Sequence, residues 1–301
     1  MGWTKRGRIF EPLGQARWIG THAALPIVDA TDDGYRVYFS SRDGHGRSQI
    51  GYGRLTLDDR EACLDAISPE PVLRPGPLGA FDDAGVTPAC LVHHAGNTHL
   101  YYTGWSRGAS VPFYLQIGVA VSEQGKQYHR LSPAPLIDRS AVDPYLTASP
   151  WILVEGQLWR MWYVSGTGWE NIEGEKRPNY HIRYAESRDG LVWTRTGVVC
   201  IDYAPGEYAF GRPCVIFDRD LARYRMWYSV RGDAYRLGYA ESSDGIAWER
   251  RDHDAGLPLS PAGWDSEMVT YPVVFRHRGT LYMLYNGNGY GQTGIGMATL
   301  S

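Results

Sequence analysis

Lysine is almost missing from this chain of 301 residues. Of 30 basic residues only Lys5, Lys126 and Lys176 are lysine, so arginine carries nearly all the positive charge. Arginine holds carboxylates and phosphates through a planar fork, which makes any place where several arginines converge informative. Cysteine is scarce. Cys63, Cys90, Cys200 and Cys214 are widely spaced, without a CxxC or a Cys/His cluster. That excludes a zinc ribbon or a disulfide scaffold and reads as four reduced, mostly buried thiols. No apolar run approaches eighteen residues, which excludes a transmembrane helix. Residues 1–8 lack the apolar segment of a secretory signal, so a cytoplasmic location is expected. Neither sign of charge dominates: 30 Lys and Arg stand against 33 Asp and Glu, a net of −3. Such a balance gives no broad pull on nucleic acid or an anionic membrane, and neither is an expected partner. Nucleotide cradles, a Walker motif, a catalytic Ser elbow and a DxDxDG calcium loop are all missing, so no cofactor or metal is expected. Gly44-His45-Gly46-Arg47 and Gly287-Asn288-Gly289 read as hairpin loops, because a phosphate cradle needs a helix N-terminus. Helical periodicity is confined to residues 57–66, with room for a turn or two.

What is abundant is aromatic and turn-forming: 11 Trp, 21 Tyr, 36 Gly and 18 Pro. These residues are organised as a repeat. An apolar strand opening at a proline occurs at Pro26, Pro88, Pro150, Pro213 and Pro272, in steps of 62, 62, 63 and 59 residues. Each copy continues into an aromatic strand, as in Tyr35-Arg36-Val37-Tyr38-Phe39 and Leu158-Trp159-Arg160-Met161-Trp162-Tyr163. A third strand of the type Ile-Gly-x-Ala follows. In two copies it ends in Glu-Ser-x-Asp-Gly-x-x-Trp, at Glu186 to Trp193 and Glu241 to Trp248. Asp-Gly is a hairpin turn whose residues tolerate positive φ, and the tryptophan opens a fourth strand that packs between units. The spacing is one residue short of a sialidase Asp-box. The last copy stops after its third strand, but Gly2-Trp3-Thr4-Lys5-Arg6-Gly7 reads like Val192-Trp193-Thr194-Arg195-Thr196-Gly197. The N-terminus is therefore expected to complete the last unit and close a ring. The expected fold is all-β, a single five-bladed β-propeller. Its blades cover about 19–75, 81–137, 143–202, 207–259, and 264–301 with 2–10.

The arrangement resembles the five-bladed glycosidase superfamily that includes glycoside hydrolase families 43, 32, 68 and 130. Within it the chain is similar to bacterial glycosidase-like proteins of unclear activity. The similarity rests on Thr21-His22-Ala23-Ala24-Leu25-Pro26, Tyr38-Phe39-Ser40-Ser41-Arg42, Phe81-Asp82-Asp83-Ala84-Gly85, Tyr101-Tyr102-Thr103-Gly104-Trp105, Gly263-Trp264-Asp265-Ser266 and Tyr285-Asn286-Gly287-Asn288-Gly289. It implies a carbohydrate-active enzyme, although fold alone does not fix function. Some members hold a calcium ion in the central channel, which the resemblance would place across a water from His22. The superfamily's hydrolases carry an essential carboxylate where this chain reads Gly20-Thr21-His22-Ala23-Ala24-Leu25, without an acid.

In a propeller the innermost strand starts, and the second strand ends, at the same face of the ring. Residues before each proline (Leu25, Thr87, Ser149, Arg212, Tyr271) and after each aromatic pair should then line one funnel. What differs between copies there is the better candidate for function. Upstream of the prolines stand His22, Asp82, Asp83, Asp143, Glu207, Tyr208, Asp265 and Glu267. After the second strands come Arg42, Asp43, Trp105, Arg107, Trp169, Glu170, Arg231, Asp233, Asn286 and Asn288. The segment 165–181 is the longest insertion and is placed to act as a lid. Glycoside cleavage needs a proton donor and a second carboxylate, roughly 6.5–9.5 Å apart for inversion. Asp83 with Asp143 or Asp265 is the candidate catalytic pair. Arg42, Arg107, Arg212 and Arg231 come from separate units and imply an anionic ligand group. His22, Asp82, Glu170, Tyr271, Asn286 and Asn288 are expected to bond the ligand, and Trp105 to stack on a ring. Each has a plainer alternative: an Asx turn for the aspartates, ion pairing for the arginines, turn geometry for the asparagines, packing for Trp105. Three functions stay open. They are an enzyme cleaving or transferring an anionic glycosyl group, a pseudoglycosidase performing another acid/base step such as cyclisation, elimination or isomerisation, and a non-catalytic binder of a small metabolite.

Overall fold

The computed structural model describes residues 2–57, 62–232 and 234–300. Strands β1 (Trp3–Phe10), β2 (Ala24–Thr31), β3 (Gly34–Arg42), β4 (Ser48–Leu57) and β5 (Ala62–Asp65) open the chain. Of these, β2 to β5 pair in succession as an antiparallel meander. The same meander recurs in β6 (Gly85–His94), β7 (Asn97–Arg107), β8 (Phe113–Ser122) and β9 (His129–Arg130). It appears again in β10 (Thr147–Glu155), β11 (Leu158–Ile172), β12 (Glu175–Ser187) and β13 (Trp193–Ile201). The next copy is β14 (Ala209–Asp218), β15 (Arg223–Arg231), β16 (Tyr235–Ser242) and β17 (Glu249–Arg250). Finally β18 (Thr270–His277), β19 (Thr280–Asn286) and β20 (Ile295–Leu300) are joined by β1, antiparallel to β20. Single parallel bridges, Ser48 to Gly85 and Tyr180 to Ala209, merge neighbouring meanders into two eight-stranded sheets. The first strands close a cycle: β2 lies against β6, β6 against β10, β10 against β14, β14 against β18, and β18 against β2.

Helix is limited to short turns at Asp252–Asp254 and Asn288–Gly291 among the described residues. Where residues 57–66 suggest helix, Ala62–Asp65 is a strand, and residues 58–61 lie outside the described residues. Cys63 is exposed rather than buried, because it sits on an outer strand; Cys90, Cys200 and Cys214 are buried. No helix among the described residues is long and apolar enough to cross a membrane.

The residue before the proline is what shapes the centre of the cycle. Leu25, Ser149, Arg212 and Tyr271 take φ of 55°, 46°, 55° and 56°. Each marks a bulge, one extra residue on the first strand relative to the second. Left-handed backbone is costly for residues with a Cβ, and persists only where surrounding structure imposes it. Here the strained N–H groups are captured by the preceding meander. Leu25 N donates to Asn286 Oδ1 at 2.8 Å, Ser149 N to Thr103 Oγ1 at 2.8 Å, and Tyr271 N to Ser229 Oγ at 2.9 Å. In the second meander the bulge falls one step later, between Pro88 and Cys90. Leu25, Thr87, Ser149 and Tyr271 are each partly exposed between buried neighbours, while Arg212 is buried. The first four therefore reach solvent at the centre of the cycle, where Arg212 spans to the carbonyls of Pro88 and Pro26.

The third-to-fourth hairpins lock onto the meander before them. Gly125, Gly190 and Gly245 have φ of 65°, 74° and 76°. Their carbonyls accept Tyr38 Oη at 2.5 Å, Tyr101 Oη at 2.9 Å and Trp162 Nε1 at 2.7 Å. The final meander is made from both chain ends and lacks this hairpin. Trp227, the counterpart of Trp162, consequently has a buried Nε1 without a partner and packs edge-on against Trp3 at 5.9 Å. Trp3 is 6% exposed, whereas its counterpart Trp193 is only partly buried. Trp3→Ala should cost about 3–5 kcal/mol in guanidinium unfolding, the range for emptying a buried aromatic site. Trp193→Ala should cost clearly less.

Candidate functional site

Three of the expected ligand-facing acids belong to one repeated structural unit. Asp82 accepts Tyr102 Oη at 3.0 Å and Arg130 Nε at 2.7 Å. Asp143 accepts Tyr163 Oη at 3.1 Å, Ser165 Oγ at 2.6 Å and Arg195 Nη1 at 2.8 Å. Asp265 accepts Tyr285 Oη at 3.1 Å and Lys5 Nζ at 2.6 Å. In each case the tyrosine is on the second strand and the cation on the fourth. In the fourth meander Asp252 plays the part, with Tyr228 Oη at 2.6 Å and Arg250. The first meander has Phe39 in the tyrosine's place, with Trp18 stacked on it at 5.3 Å. Asp82, Asp143 and Asp265 are 0%, 0% and 2% exposed. Burial alone would raise the Asp265 carboxyl, but hydrogen bonds from Lys5, Ser260 and Tyr285 outweigh it and hold the pKa below the ordinary value. These acids fasten the outer strand to the middle of their own meander. The expectation that Asp83, Asp143 and Asp265 share a cavity is not met, because Asp143 and Asp265 are each enclosed in a separate meander. The signal was in the sequence: the aspartate precedes its tyrosine by 20 residues in all three copies.

At the axis a different set gathers. Arg231, at the end of β15, lies over the rings of Tyr235 at 5.2 Å, Tyr208 at 5.4 Å and Tyr290 at 6.0 Å. Tyr235 is 6.1 Å from Tyr271 between ring centres, and its hydroxyl is 2.7 Å from that of Tyr180. Burial works against the charge on Arg231, yet the phenols of Tyr235, Tyr290 and Tyr208 keep its pKa raised. Burial, then the neighbouring Tyr235 and Tyr290, push the Tyr271 phenol well up, against the pull of Arg231 and Arg42. Arg42 is exposed at the end of β3, and its charge also reaches His22. His22 is 7% exposed, with Nδ1 2.6 Å from Thr21 Oγ1. Burial first, then Arg42, lowers its pKa to about 4, so the imidazole is neutral at pH 7. Beneath Tyr271, Arg212 is 1% exposed. It donates to the carbonyls of Pro88 at 3.0 Å and Pro26 at 2.7 Å, and its Nε has no partner. Burial brings its pKa down to about 10.

Other expected contacts have structural tasks. Asn286 is fully buried and donates to the carbonyls of Ala23 at 2.7 Å and Gly294 at 3.0 Å, besides capping Leu25 N. Asn288 Oδ1 accepts the N–H groups of Glu267 and Met268 at 2.8 and 3.0 Å, stapling a loop. Trp105 Nε1 donates to Ser48 Oγ at 2.7 Å, at the junction of the first two meanders. Segment 165–181 is not a loop but the extension of the β11–β12 hairpin, on which exposed Glu170 pairs with Arg177 at 2.5 Å. Arg177 stacks on Tyr208 at 3.9 Å and Trp169 packs on Phe113 at 5.2 Å, so the hairpin leans on both neighbouring meanders. Asp83 and Arg107 lie elsewhere, in an off-axis groove of about 1070 Å³. The four arginines thus share no single cavity: Arg42, Arg212 and Arg231 gather around Tyr271, while Arg107 does not. Asp233 lies outside the described residues. Of the tyrosines, sequence reasoning singles out only Tyr208 and Tyr271, because the cluster comes from five separate segments.

Two Mycobacterium tuberculosis proteins, uncharacterized proteins MT1551 and Rv1502, are each 44% identical to the chain over 302 residues, covering 100% of it and 99% of their own length. The chain belongs to their family. No family model matches it. Among solved structures it is similar to a BT0996 RGII complex, at TM-score 0.76 and 18% identity, covering 99% of this chain and 91% of that one. A structure described as belonging to the GH130 family of mannoside phosphorylases, with hydrolases that target β-1,2 mannosidic linkages in Candida mannan, gives TM-score 0.70 at 15% identity, covering 100% and 94%. A Bombyx mori GH32 β-fructofuranosidase gives 0.65 at 13%, covering 99% and 62%. At these identities the likeness establishes a shared β-propeller fold of the glycoside hydrolase type.

The donor set at the axis does not fit a calcium ion, which needs six to eight oxygen ligands. The hollow presents a neutral imidazole and a cationic floor, and no group of three His, Cys, Asp or Glu among the described residues is placed to hold a metal. These environments make the tethering acids and His22 testable by stability. Asp143→Ala leaves Arg183 and Arg195 without their shared carboxylate and should cost about 3 kcal/mol in denaturant unfolding. His22 has a folded pKa below its unfolded value, so unfolding takes up a proton as pH falls from about 6.5 towards about 4, and stability is lost over that window. His22→Gln should lose less stability than the parent between those pH values.

Proposed function

We propose that the five meanders are the blades of one five-bladed β-propeller and that the protein is a glycosidase-like enzyme of the cytoplasm. In this reading its substrate is a small glycoside or glycosyl-containing metabolite bearing an anionic group, held over the axial hollow. The observation that carries this reading is the Arg231 guanidinium, partly buried, ringed by phenols and in contact with no carboxylate among the described residues. Together with Arg42 it offers planar forks to a carboxylate or phosphate, and Arg212 adds positive potential from below. Phenol faces and hydroxyls of Tyr208, Tyr271 and Tyr290 suit the apolar face and hydroxyls of a sugar ring.

The acids argue for the non-hydrolytic branch of this chemistry. Cleavage by a carboxylate pair needs two carboxyl groups flanking one bond. Here Asp82, Asp143 and Asp265 are tied within their own meanders, and Asp83 is off the axis. The proton-transfer groups beside Arg231 and Arg42 are the neutral His22 imidazole and the Tyr271 phenol. Both are neutral at pH 7, so the His22 imidazole is placed to accept, and the Tyr271 phenol to donate, a hydrogen bond to a substrate oxygen on which charge changes. Such a pair serves an elimination, isomerisation or cyclisation. With the arginines orienting phosphate as the nucleophile, it also serves phosphorolysis. A panel of aryl glycosides, assayed with and without phosphate, tests this reading. Phosphate-free hydrolysis should be negligible, and Arg231→Ala should lower any turnover or binding of anionic glycosides at least tenfold, as loss of a charged hydrogen bond implies. Rapid phosphate-free hydrolysis indifferent to Arg231→Ala would sink it.

A further inference from the structure

The groove beside Asp83 has no part in the axial chemistry, yet it is built from separate chain segments with a consistent charge. Its walls come from the β3–β4 turn, the end of β7 with the start of β8, residues 76–84, and Arg139. Three guanidiniums line it, those of Arg47, Arg107 and Arg139, against one carboxylate, that of Asp83. They are not equally engaged. Arg47 is held by Asp43 at 3.0 Å, on the same turn. Arg107 Nη2 donates to the His45 carbonyl at 3.2 Å, and the Arg139 guanidinium lies over the Tyr114 ring at 5.2 Å. Asp83 turns Oδ2 to the backbone N–H of Gly79 at 2.9 Å rather than to either arginine. Arg107, at the end of β7, and Arg139, on the connection from β9 to β10, therefore face one volume with no ion pair of their own among the described residues, beside an aromatic ring and the Gln116 amide, which donates to Asp138. At the mouth, Leu78 is 98% exposed, an apolar lip on an otherwise charged opening.

We propose that the groove is a second ligand site, selective for a sugar-sized polyhydroxylated molecule carrying one carboxylate or phosphate group. Arg107 and Arg139 take the anion, Asp83 takes hydroxyls, and Phe81 and Leu78 cover the apolar face of the ring. Neutral sugars lack the group that the two guanidiniums select, and inorganic phosphate lacks the body that the ring and lip contact.

Ligand-observed NMR and calorimetric titration of the whole protein with D-glucuronate, glucose 6-phosphate, glucose and inorganic phosphate test the site. The two charged sugars distinguish a carboxylate from a phosphate preference. At least one charged sugar should bind, with glucose at least tenfold weaker. The Arg107→Ala/Arg139→Ala variant, checked for an unchanged unfolding midpoint, should lose that binding component at least tenfold, while Arg231→Ala retains it. Binding that survives the double variant unchanged, or absence of any binding of both charged sugars to the parent protein, overturns the proposal. Because Arg231→Ala touches only the axial hollow, failure of one site is separable from failure of the other.

Discussion

A residue held in left-handed backbone just before a buried proline is the constraint on which this molecule turns. The bulge it creates swings one side chain per strand out of the alternating pattern and onto the axis. It is tolerated because the neighbouring blade supplies an acceptor: Asn286, Thr103 and Ser229 each capture the N–H of such a residue. Two of these three acceptors are small hydroxyl side chains, and Asn286 sits where the last blade meets the first. Ring closure and the shape of the central hollow are thus one interaction seen from two sides. Without the bulge, Tyr271 and Arg212 would continue the strand alternation and the axial cluster would not exist.

Repetition also sorts structure from function. An aspartate bonded to a second-strand tyrosine and a fourth-strand cation is present in four of the five meanders, buried in three of them, which marks it as a fastening. Where the copies diverge, chemistry-bearing groups accumulate: Arg212 stands where the other copies have Leu25, Thr87, Ser149 and Tyr271, and Arg231 stands among tyrosines from several blades. An uncompensated guanidinium inside a protein is expensive unless an anion or strong dipoles meet it. Arg212 has carbonyl dipoles, whereas Arg231 has phenols and, among the described residues, no carboxylate; the anionic ligand proposed above would supply its counter-charge.

The strand repeat, the Asp-Gly hairpins and the N-terminal closure were legible in the sequence because they are local patterns at fixed spacing. Trp3 was readable as the partner of the last blade by its match to Trp193. The roles of Asp143 and Asp265 were not, since a turn-forming acid, a ligand-facing acid and a buried tether look alike until their partners are placed. The recurrence of a tyrosine 20 residues later was the available clue. By sequence alone Arg107 groups with the axial arginines, because it too follows an aromatic strand. β7, however, runs on to Arg107, two residues past Trp105, which carries its guanidinium out into the groove. The tyrosine cage depends on a long hairpin leaning across a blade and on Tyr290 held at φ 59° in a single turn, neither of which leaves a periodic signature.

The most direct test of the central claim is to locate an anion. Crystals soaked in tungstate, a heavy phosphate mimic, place it by anomalous scattering. The account predicts a peak over the axial hollow within hydrogen-bond reach of Arg231 and Arg42, beside Tyr271. A hollow in which Arg231 is closed against a protein carboxylate, with tungstate bound only at other surface arginines, would contradict it.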